Sequence, residues 1–366
     1  MQTLRCEVLV VGLGPGGSSA SRVCAEAGLN VIGIDKKKSF GFPVQCAEFI
    51  PLPMASYARD EPVRIQRITG MKSFLPSGEV EFTDFRGLMI DRQEFDQALA
   101  QSAIQSGARL YSSAHLLSLR RDAKRAEAII DREVVEIHFQ YVVAADGPHS
   151  HVAHQLGLPS LKTVNTRQYT VDLLEPLDDT DIWLSDEFPG GYAWLFPKGD
   201  RANLGLGIDK RWGVDLKAAL DNLHEKLVAQ GRIGKSIHAR TGGAIPVGGM
   251  REKLVCDEIL FVGDAAGLTH PITGAGIAAA VVSGEHAAQA IVEKIEGNED
   301  AFEEYDEEMR EQYGPGLERA VAKRLWLEGQ WHTQAAQQDE IMRAGWIAFH
   351  EYQNAPGAKR VKEMML

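Results

Sequence analysis

The sequence contains few cysteines, and they are not spaced as metal ligands. Cys6, Cys24, Cys46 and Cys256 lie far apart, and the chain has no C-x-x-C pair. This pattern predicts free thiols in a reducing cytoplasm and no zinc or iron–sulfur site. Cys6 and Cys24 flank the first predicted strand and helix, where we expect small buried side chains.

Long hydrophobic runs and an excess of basic residues are also lacking. No apolar run is long enough to span a bilayer, and the N-terminus shows neither the basic nor the apolar region of a secretory signal. The 39 Lys and Arg residues against 51 Asp and Glu residues give a net charge of −12. Such an acidic chain is not expected to bind nucleic acid or an anionic membrane surface. With 366 residues, 44% of them hydrophobic, the composition indicates a cytoplasmic globular protein with a large core.

A glycine-rich turn near the N-terminus organises the chain. The apolar run 8–11 leads into Gly12-x-Gly14-x-x-Gly17, and a helical pattern and a second apolar run ending at Asp35 follow. This order predicts a dinucleotide-binding unit in which Gly12 allows a tight turn, Gly14 admits a pyrophosphate and Gly17 lets helix and strand pack closely. The pyrophosphate would lie at the helix N-terminus, and Asp35 would accept hydrogen bonds from ribose hydroxyls. The alternative, a surface glycine loop without a ligand, is disfavoured by the surrounding pattern.

The next segments predict a ligand-facing loop and a helix. Residues 36–60 are predicted to form a loop because Gly41 and Pro43 interrupt them. A loop at the carboxyl ends of the strands lies where α/β sheets bind ligands. A helix is predicted to begin after Asp91 and to end at Gly107.

The middle of the chain predicts a second domain followed by a return to the first. The apolar run 141–145 is typical of a buried parallel strand. Strands within 166–210 and an amphipathic helix over 213–230 indicate an antiparallel sheet. A strand at 258–262 and a helix over 274–295 then return to the first domain.

The C-terminal part is predicted to be helical and rich in aromatic residues. The acidic stretch 293–311 indicates a solvated helical face, and Gly314-Pro315-Gly316 is predicted to break the helix. We expect the later aromatic residues to pack this region onto the body; alternatively, some line a substrate pocket or meet a partner. These residues are Trp326, Trp331, Trp346, Phe349 and Tyr352.

Three motifs resemble the fingerprints of FAD-binding proteins. They are Gly12-x-Gly14-x-x-Gly17 with Asp35, then Asp146-Gly147, then Gly263-Asp264 with Gly274-x-Gly276-Ile277. Their order is similar to that of the flavoprotein group that includes p-hydroxybenzoate hydroxylase, and three pieces in order are a stronger signal than one. Asp35 is shorter than the usual Glu but still able to reach a ribose.

Two further motifs resemble the geranylgeranyl reductase family within that group. Pro43-x-x-Cys46-x-Glu48 matches a family loop beside the isoalloxazine ring, and Tyr192-x-Trp194-x-Phe196-Pro197 matches a family strand that faces the substrate cavity. The resemblance covers about residues 1–300. It implies an α/β fold: a Rossmann-like FAD-binding domain of the GR2 or p-hydroxybenzoate hydroxylase type, with an inserted antiparallel β-sheet substrate domain and a helical C-terminal region.

The domains implied by this resemblance are discontinuous. We expect the FAD-binding domain at 1–70, 88–165 and 245–297, the substrate domain at 71–87 and 166–244, and the C-terminal helical region at 298–366.

The resemblance also implies which residues contact FAD. Asp264 would hold the ribitol, and the backbone N–H groups of Gly276 and Ile277 at a helix N-terminus would stabilise negative charge at the N1/O2 edge of the flavin. For Arg92 the alternative is an arginine in solvent at the start of a helix. The expected contacts are Gly12, Gly14, Gly17, Asp35, Lys36, Cys46, Ala47, Arg92, Asp264, Gly274, Gly276 and Ile277.

Three residues are the catalytic candidates that the resemblance implies, Cys46, Tyr192 and Trp194. Reduction of an isolated alkene needs a hydride on one carbon and a proton on the other. Cys46 is a candidate to donate that proton or to tune the flavin, and the alternative is a small buried residue beside the cofactor. Tyr192 and Trp194 are expected to shape an apolar cavity rather than to transfer protons.

The function that the resemblance implies is an FAD-dependent reductase. It would pass hydride from NAD(P)H or another reductant to a C=C bond of an isoprenoid or related apolar substrate, which leaves peripheral contact with a membrane open. A second hypothesis is a flavoprotein that passes electrons from NAD(P)H to a protein partner, such as an iron–sulfur enzyme in cofactor assembly. Its basis is the acidic surface and a short, polar-rich tail whose tryptophans look exposed.

A third hypothesis is a flavin monooxygenase or halogenase. The strand around Trp194 also resembles the halogenase strand Gly-Trp-x-Trp-x-Ile-Pro, although Tyr192 and Phe196 depart from it. The Cys46 loop counts against this hypothesis.

Overall fold

The computed structural model describes residues 2–58, 62–331 and 333–354. Its strands are β1 Gln2–Arg5, β2 Val8–Val11, β3 Val31–Ile34, β4 Phe49–Pro51, β5 Arg64–Ile68, β6 Gly70–Phe74, β7 Val80–Thr83, β8 Gly87–Ile90, β9 Arg109–Tyr111, β10 His115–Arg120, β11 Arg125–Ile130, β12 Glu133–His138, β13 Tyr141–Ala144, β14 Thr163–Leu173, β15 Asp179–Trp183, β16 Ala193–Lys198, β17 Arg201–Ile208, β18 Ile233–Pro246, β19 Val255–Cys256 and β20 Ile259–Phe261. Its α-helices are α1 Pro15–Glu26, α2 Arg92–Gln105, α3 His151–Gln155, α4 Leu216–Ala229, α5 Gly263–Ala266, α6 Ile277–Glu296, α7 Ala301–Glu328, α8 Asp339–Gly345 and α9 His350–Asn354.

A six-stranded sheet forms the first half of the fold, in the order β19-β20-β13-β2-β3-β9. The strands from β20 to β9 are parallel, and β19 pairs antiparallel at one edge. All four residues of β2 are buried, as expected for a parallel strand that helices cover on both faces. This arrangement confirms the Rossmann-like fold predicted from the glycine-rich turn.

A seven-stranded sheet forms the second half, in the order β18-β14-β17-β16-β15-β6-β7. It is antiparallel except for the pair β15 and β6, which is parallel. Leu220, Leu223 and Leu227 of α4 cover one face and pack with Tyr169 and Val171 of β14. The opposite face lines a cavity. The strand pairing confirms the predicted antiparallel sheet, with one parallel pair.

Two smaller sheets complete the strands, β1-β12-β11-β10 and β4-β8-β5. The second corrects the prediction that 36–60 is entirely a loop. Within that range β4 pairs antiparallel with β8, and Leu52–Ala58 form a 3-10 helix. Ile50 and Met54 are buried with Leu88 from β8, and this long-range burial organises a segment whose local composition is typical of a loop. Residues 59–60 lie outside the described residues.

The predicted helix break at Gly314-Pro315-Gly316 is wrong, because α7 runs from Ala301 to Glu328 with Pro315 inside it. Proline in a helix interior removes one backbone hydrogen bond and costs about 3 kcal/mol. Tyr305 and Met309 before the proline and Leu317 after it are buried against the six-stranded sheet. This packing on both sides holds the two halves together as one helix.

The segments α8 and α9 lead the chain back across the seven-stranded sheet. Met342, Trp346 and Phe349 are buried in a cluster with Met71 and Ile182 of that sheet. The expected packing of the aromatic tail onto the body is therefore confirmed for these residues, whereas residues 355–366 lie outside the described ranges. Within those ranges, the structure has no helix with an apolar stretch that could cross a bilayer.

Candidate functional site

One large cavity of about 1270 Å³ lies where the two main sheets meet. The carboxyl ends of β2, β3 and β13 reach it, which is where open α/β sheets bind ligands. From the seven-stranded sheet it receives Gln168 and Trp194, and from the C-terminal region it receives Leu317 of α7 and Trp346, which follows α8. Three distant parts of the chain therefore share one site.

The glycine-rich turn has the geometry needed to hold a pyrophosphate. Gly12 has a φ of 93°, and a Cβ there would lie 2.3 Å from the carbonyl oxygen of Ala145. A Cβ on Gly17 would lie 1.8 Å from the carbonyl oxygen of Gly12, so only glycine fits between α1 and the turn. Gly14 caps α1 and lines the cavity, and a Cβ there would meet no other described part of the protein within 4 Å. The N-terminus of α1 thus faces open space, and a dinucleotide phosphate fits this geometry.

Asp35 lies at the end of β3 and holds the glycine-rich turn in place. One carboxylate oxygen accepts a hydrogen bond from the N–H of Leu13 at 2.7 Å, and the other accepts one from the N–H of Lys37 at 2.8 Å. Each carboxylate oxygen can accept more than one hydrogen bond, so capacity remains for a ribose hydroxyl. Asp35 and the adjacent Lys36 both line the cavity.

A second helix N-terminus, that of α6, reaches the cavity next to that of α1, since a Cβ on Gly16 would lie 2.8 Å from the carbonyl oxygen of Ala280. Gly276 caps this 20-residue helix and Ile277 begins it, and both line the cavity with Gly274. Asp264 accepts a hydrogen bond from the hydroxyl of Thr269, and burial raises the pKa of the Asp264 carboxyl. The partial positive charge of the N-terminus of α6 favours an electron-rich group at this place.

The Asp146-Gly147 motif follows β13 and lines the cavity. One oxygen of Asp146 accepts a hydrogen bond from the N–H of Val152 at 3.0 Å and so holds the start of α3. The other oxygen is buried and has no hydrogen-bond partner among the described residues.

Cys46 lies in the cavity wall, on the loop before β4. Its sulfur accepts a hydrogen bond from the N–H of Glu48 at 3.3 Å. Burial raises the pKa of the Cys46 thiol, while the nearby guanidinium of Arg92 acts in the opposite direction. The net shift is upward, so the sulfur carries its proton at neutral pH.

The alternative prediction for Arg92, an arginine in solvent at the start of a helix, is wrong. Its side chain is 16% exposed and lines the cavity, and its guanidinium donates to both oxygens of Asp96, at 2.7 and 3.2 Å. Its backbone N–H donates to Glu48 at 2.8 Å. The prediction that α2 begins after Asp91 is confirmed, since the Asp91 carboxylate caps the N–H groups of Gln93 and Glu94.

Tyr192 and Trp194 both place their rings in the cavity wall with their polar atoms occupied. The Tyr192 hydroxyl donates to the carbonyl oxygen of Thr273 at 2.5 Å, and burial raises the pKa of this hydroxyl. The indole N–H of Trp194 donates to Oε1 of Gln168 at 3.0 Å. Two rings that are fixed in this way are suited to shape an apolar surface.

Gln168 and Asn203 lie outside the sequence motifs, and no role was predicted for Lys198. Each approaches the loop segment 46–48 from a different strand, namely β14, β17 and β16. Gln168 donates to the carbonyl oxygen of Cys46, Asn203 donates to the carbonyl oxygen of Ala47, and Lys198 donates to the carboxylate of Glu48. A strand pattern predicts which face a residue lies on, but it does not reveal the distant backbone group that the residue contacts.

His270 was also overlooked, and it lines the cavity between α5 and α6. Its Nδ1 accepts hydrogen bonds from the N–H groups of Ile272 and Thr273, both at 3.3 Å, so its proton resides on Nε2. Burial lowers the pKa of His270 to about 4. The ring is therefore a neutral hydrogen-bond donor at physiological pH.

Trp346 connects the C-terminal tail with the cavity. It is 3% exposed, lines the cavity and packs with its ring centroid 4.8 Å from that of Tyr192. The expectation of an exposed tryptophan is wrong here, because the ring is covered by the tail and by the seven-stranded sheet. Trp326 and Trp331 are partly buried.

Comparisons with known proteins place the chain among reductases. Residues 162–244 match the model of the geranylgeranyl reductase catalytic domain, and residues 63–198 match that of an FAD binding domain. The digeranylgeranylglycerophospholipid reductase of Methanocaldococcus jannaschii is 35% identical over 345 residues, a match that covers 88% of this chain and 86% of that protein. Both the cofactor and the enzyme class predicted from the motifs are confirmed by these matches.

Solved structures agree with this assignment. A geranylgeranyl bacteriochlorophyll reductase-like protein from Thermoplasma acidophilum superimposes with a TM-score of 0.82 at 28% identity and covers 99% of each chain. A p-nitrophenol 4-monooxygenase from Pseudomonas putida, at 16% identity and a TM-score of 0.73 over 95% of each chain, shares the fold alone. The chain therefore belongs to the geranylgeranyl reductase family and is an FAD-dependent reductase.

Proposed function

We propose that this protein reduces carbon–carbon double bonds in the isoprenoid chains of a lipid of the digeranylgeranylglycerophospholipid type. One observation carries the proposal: a single cavity joins a dinucleotide cradle to a wall of apolar side chains, and Cys46 lies in it. The relatives at 30–35% identity bear the name of this lipid reductase. An apolar chain that must reach a flavin needs this combination.

We propose that FAD lies across the adjacent N-termini of α1 and α6, which both line the cavity. Gly12, Gly14 and Gly17 would admit its pyrophosphate, and Asp35 with Lys36 would lie at its ribose. Asp264 would hold its ribitol, and Arg92, bonded to Asp96, would contact the cofactor near Cys46 and Ala47. At the flavin edge, Gly274 and the backbone of Gly276 and Ile277 complete the site.

The isoprenoid chain would occupy the part of the cavity beside the seven-stranded sheet. Phe49 stacks on Phe85 with centroids 5.7 Å apart and meets Phe196 edge-on at 6.1 Å. Together with Trp194 and Trp346, these rings exclude water and offer contacts to an uncharged chain. Tyr192 closes the wall next to Trp346.

Reduced FAD supplies the hydride when it is bound. The residues of the chain must then supply a proton to the other alkene carbon, so that the π bond is replaced by two C–H bonds. Cys46 holds a proton on its sulfur because burial raises the pKa of its thiol, whereas the Tyr192 proton is directed to the Thr273 carbonyl. We therefore assign proton donation to Cys46, with water returning the proton to the sulfur afterwards.

We keep the division into domains as a proposal. The FAD-binding domain would comprise 1–70, 88–165 and 245–297, the substrate domain 71–87 and 166–244, and the helical region 298–366. The seven-stranded sheet supports this division, since its strands lie at 70–83 and 163–246. NAD(P)H as reductant, the cytoplasmic location and peripheral contact with a membrane stay predictions.

The decisive experiment supplies the electrons chemically, so that it does not depend on the natural reductant. The FAD-loaded protein is reduced with dithionite without oxygen and mixed with digeranylgeranylglycerophospholipid, and flavin absorbance and lipid mass are followed. We expect reoxidation of the flavin together with a mass gain of two hydrogen atoms per reduced double bond. The fully saturated lipid is the control and leaves the flavin reduced.

Two other outcomes contradict the proposal. Unchanged lipid with a flavin that stays reduced removes the lipid as substrate, and electron delivery to an added iron–sulfur protein would then favour the partner hypothesis. A product that carries oxygen or halogen after admission of oxygen would favour the monooxygenase or halogenase hypothesis.

A further inference from the structure

The segment Cys46-Ala47-Glu48 receives hydrogen bonds from the seven-stranded sheet in addition to those from Arg92 and from within the segment. Gln168 donates to the Cys46 carbonyl at 3.0 Å, and Asn203 donates to the Ala47 carbonyl at 3.3 Å. The Glu48 carboxylate accepts from Lys198 at 2.9 Å and from Asn203 at 2.7 Å. All three residues of the segment are thus tied to strands that lie more than a hundred residues away.

Gln168 differs from Asn203 and Lys198 because it also contacts Trp194 of the apolar wall. Its side chain is buried, with 6% of the residue exposed. Its Nε2 donates to the Cys46 carbonyl, and its Oε1 accepts from the indole N–H of Trp194 at 3.0 Å. Since one partner only accepts and the other only donates, the amide has a single orientation that satisfies both.

We propose that Gln168 is a positioning residue for the reduction proposed above, on which this inference rests: it holds the Cys46 thiol at a set distance from the Trp194 wall. The amide is one rigid planar unit, so both hydrogen bonds together fix the loop relative to the sheet. The thiol and the wall that orients the alkene come from different halves of the fold. A displacement of about 1 Å between such groups lowers catalytic rates by about 10²-fold.

Gln168→Glu tests the donor without changing the shape of the side chain. An ionised carboxylate still accepts from Trp194, but it loses the hydrogen bond to Cys46 and repels the carbonyl oxygen. We expect kcat to fall by about 10²-fold at pH 8 with little change in KM. Protonation of the introduced carboxyl restores a donor of the same shape, so kcat should recover as the pH is lowered.

Gln168→Leu has no group that protonation can restore, so its kcat should stay low at every pH. The charged and titratable groups near Cys46 are Arg92, Glu48 and Tyr192. Any effect of these groups on the pH dependence of kcat should also be seen in the wild type and in Gln168→Leu, so both are measured over the same pH series. The matched control is Gln66→Leu. Gln66 donates to the Leu177 carbonyl and accepts from the Gly199 N–H, but it is not part of the cavity wall, so kcat should be that of the wild type.

Alkylation of Cys46 by iodoacetamide in the FAD-loaded protein provides a readout that needs no substrate. Mass spectrometry of the Cys46 peptide should give a rate about tenfold higher in Gln168→Leu, because the loop opens more often once it loses this contact. If the wild type fails to reduce the lipid but the alkylation rate rises, the proposed function fails and the positioning role survives.

A double substitution decides whether Gln168 acts through Cys46. In a Cys46→Ala background, Gln168→Leu should cause no further loss of kcat. An equal loss in both backgrounds, or no recovery of Gln168→Glu at low pH, would overturn the inference.

Discussion

The ring of Trp346 packs edge-on against the ring of Tyr192, with an angle of 62° between the planes. The Tyr192 hydroxyl in turn donates to Thr273, which lies in the loop before α6. A residue of the C-terminal tail, the residue directly before β16 of the seven-stranded sheet and the cofactor side of the cavity are thereby in contact. The tail is consequently part of the proposed substrate site.

Replacing Trp346 by alanine should enlarge the apolar part of the cavity. We expect KM for the isoprenoid lipid to rise about tenfold, and the free energy of unfolding to fall by about 3–5 kcal/mol, as for other buried tryptophans. Steady-state kinetics and urea unfolding measure the two effects. Trp326→Ala is the control, because Trp326 contacts Lys323 and does not line the cavity. An unchanged KM in the stable fraction of Trp346→Ala would contradict a role of the tail in binding.

Replacing Cys46 by alanine should remove the proton donor while leaving the cofactor bound. We expect kcat to fall by about 10²-fold or more with FAD content unchanged. Burial raises the pKa of the Cys46 thiol, so the thiol loses its proton only above the ordinary thiol pKa of about 8.5. In the wild type, kcat should therefore be constant across neutral pH and should fall only above that value.

The control for Cys46 is Cys256→Ala, at a partly buried thiol outside the cavity wall. Loss of activity in Cys256→Ala, or full activity in Cys46→Ala, would remove the assignment of proton donation. A rate that increases from pH 7 to pH 9 would instead indicate that the thiolate is the active form.

Gly14 and Gly17 should respond differently to alanine. A Cβ on Gly17 would overlap the Gly12 carbonyl, so Gly17→Ala should disrupt the packing of α1 and lower the melting temperature of the flavin-free protein. A Cβ on Gly14 meets no described protein atom nearby, so Gly14→Ala should melt like the wild type and yet bind FAD about tenfold more weakly, since the methyl group occupies the phosphate position. Calorimetry and flavin titration separate the two effects, and wild-type affinity in Gly14→Ala would contradict the predicted placement.

His270 should make the protein less stable as the pH falls. Its pKa of about 4 lies below the ordinary value of about 6.5, so between these values the unfolded chain binds a proton that the folded chain does not. Stability should fall by about 2 kcal/mol from pH 7 to pH 5 through this residue. His270→Asn keeps an acceptor for the two backbone N–H groups and should remove that part of the pH dependence in urea unfolding.

The control for His270 is His286→Asn, on α6 outside the cavity wall, where the ring pairs with Glu308 of α7. In this variant the stability should decrease below pH 7 about as steeply as in the wild type. If His270→Asn loses stability between pH 7 and pH 5 as steeply as the wild type does, the ring is not held neutral in the folded protein.

The elements that were predicted correctly are those whose determinants are local. Four apolar residues before Gly12 specify β2, and Asp91 specifies the start of α2 through hydrogen bonds to N–H groups two and three residues away. The helix break at Pro315 was predicted from an equally local rule and was wrong. There, the buried residues on both sides of Pro315 outweigh the cost of one missing hydrogen bond.

The sequence by itself determined the dinucleotide cradle, because its main requirements are close together in the chain: glycine at position 17, where a Cβ would collide with the Gly12 carbonyl, and an acid at the end of the next strand. Only the tertiary structure decided the contacts that Gln168 and Trp346 make. Each depends on strands and helices that come together from distant parts of the chain, and a buried amide or indole has no local signature of the partner it will meet. The proposed proton donor Cys46 was recognised by its motif, whereas the raised pKa that keeps it protonated arises from burial in the folded protein.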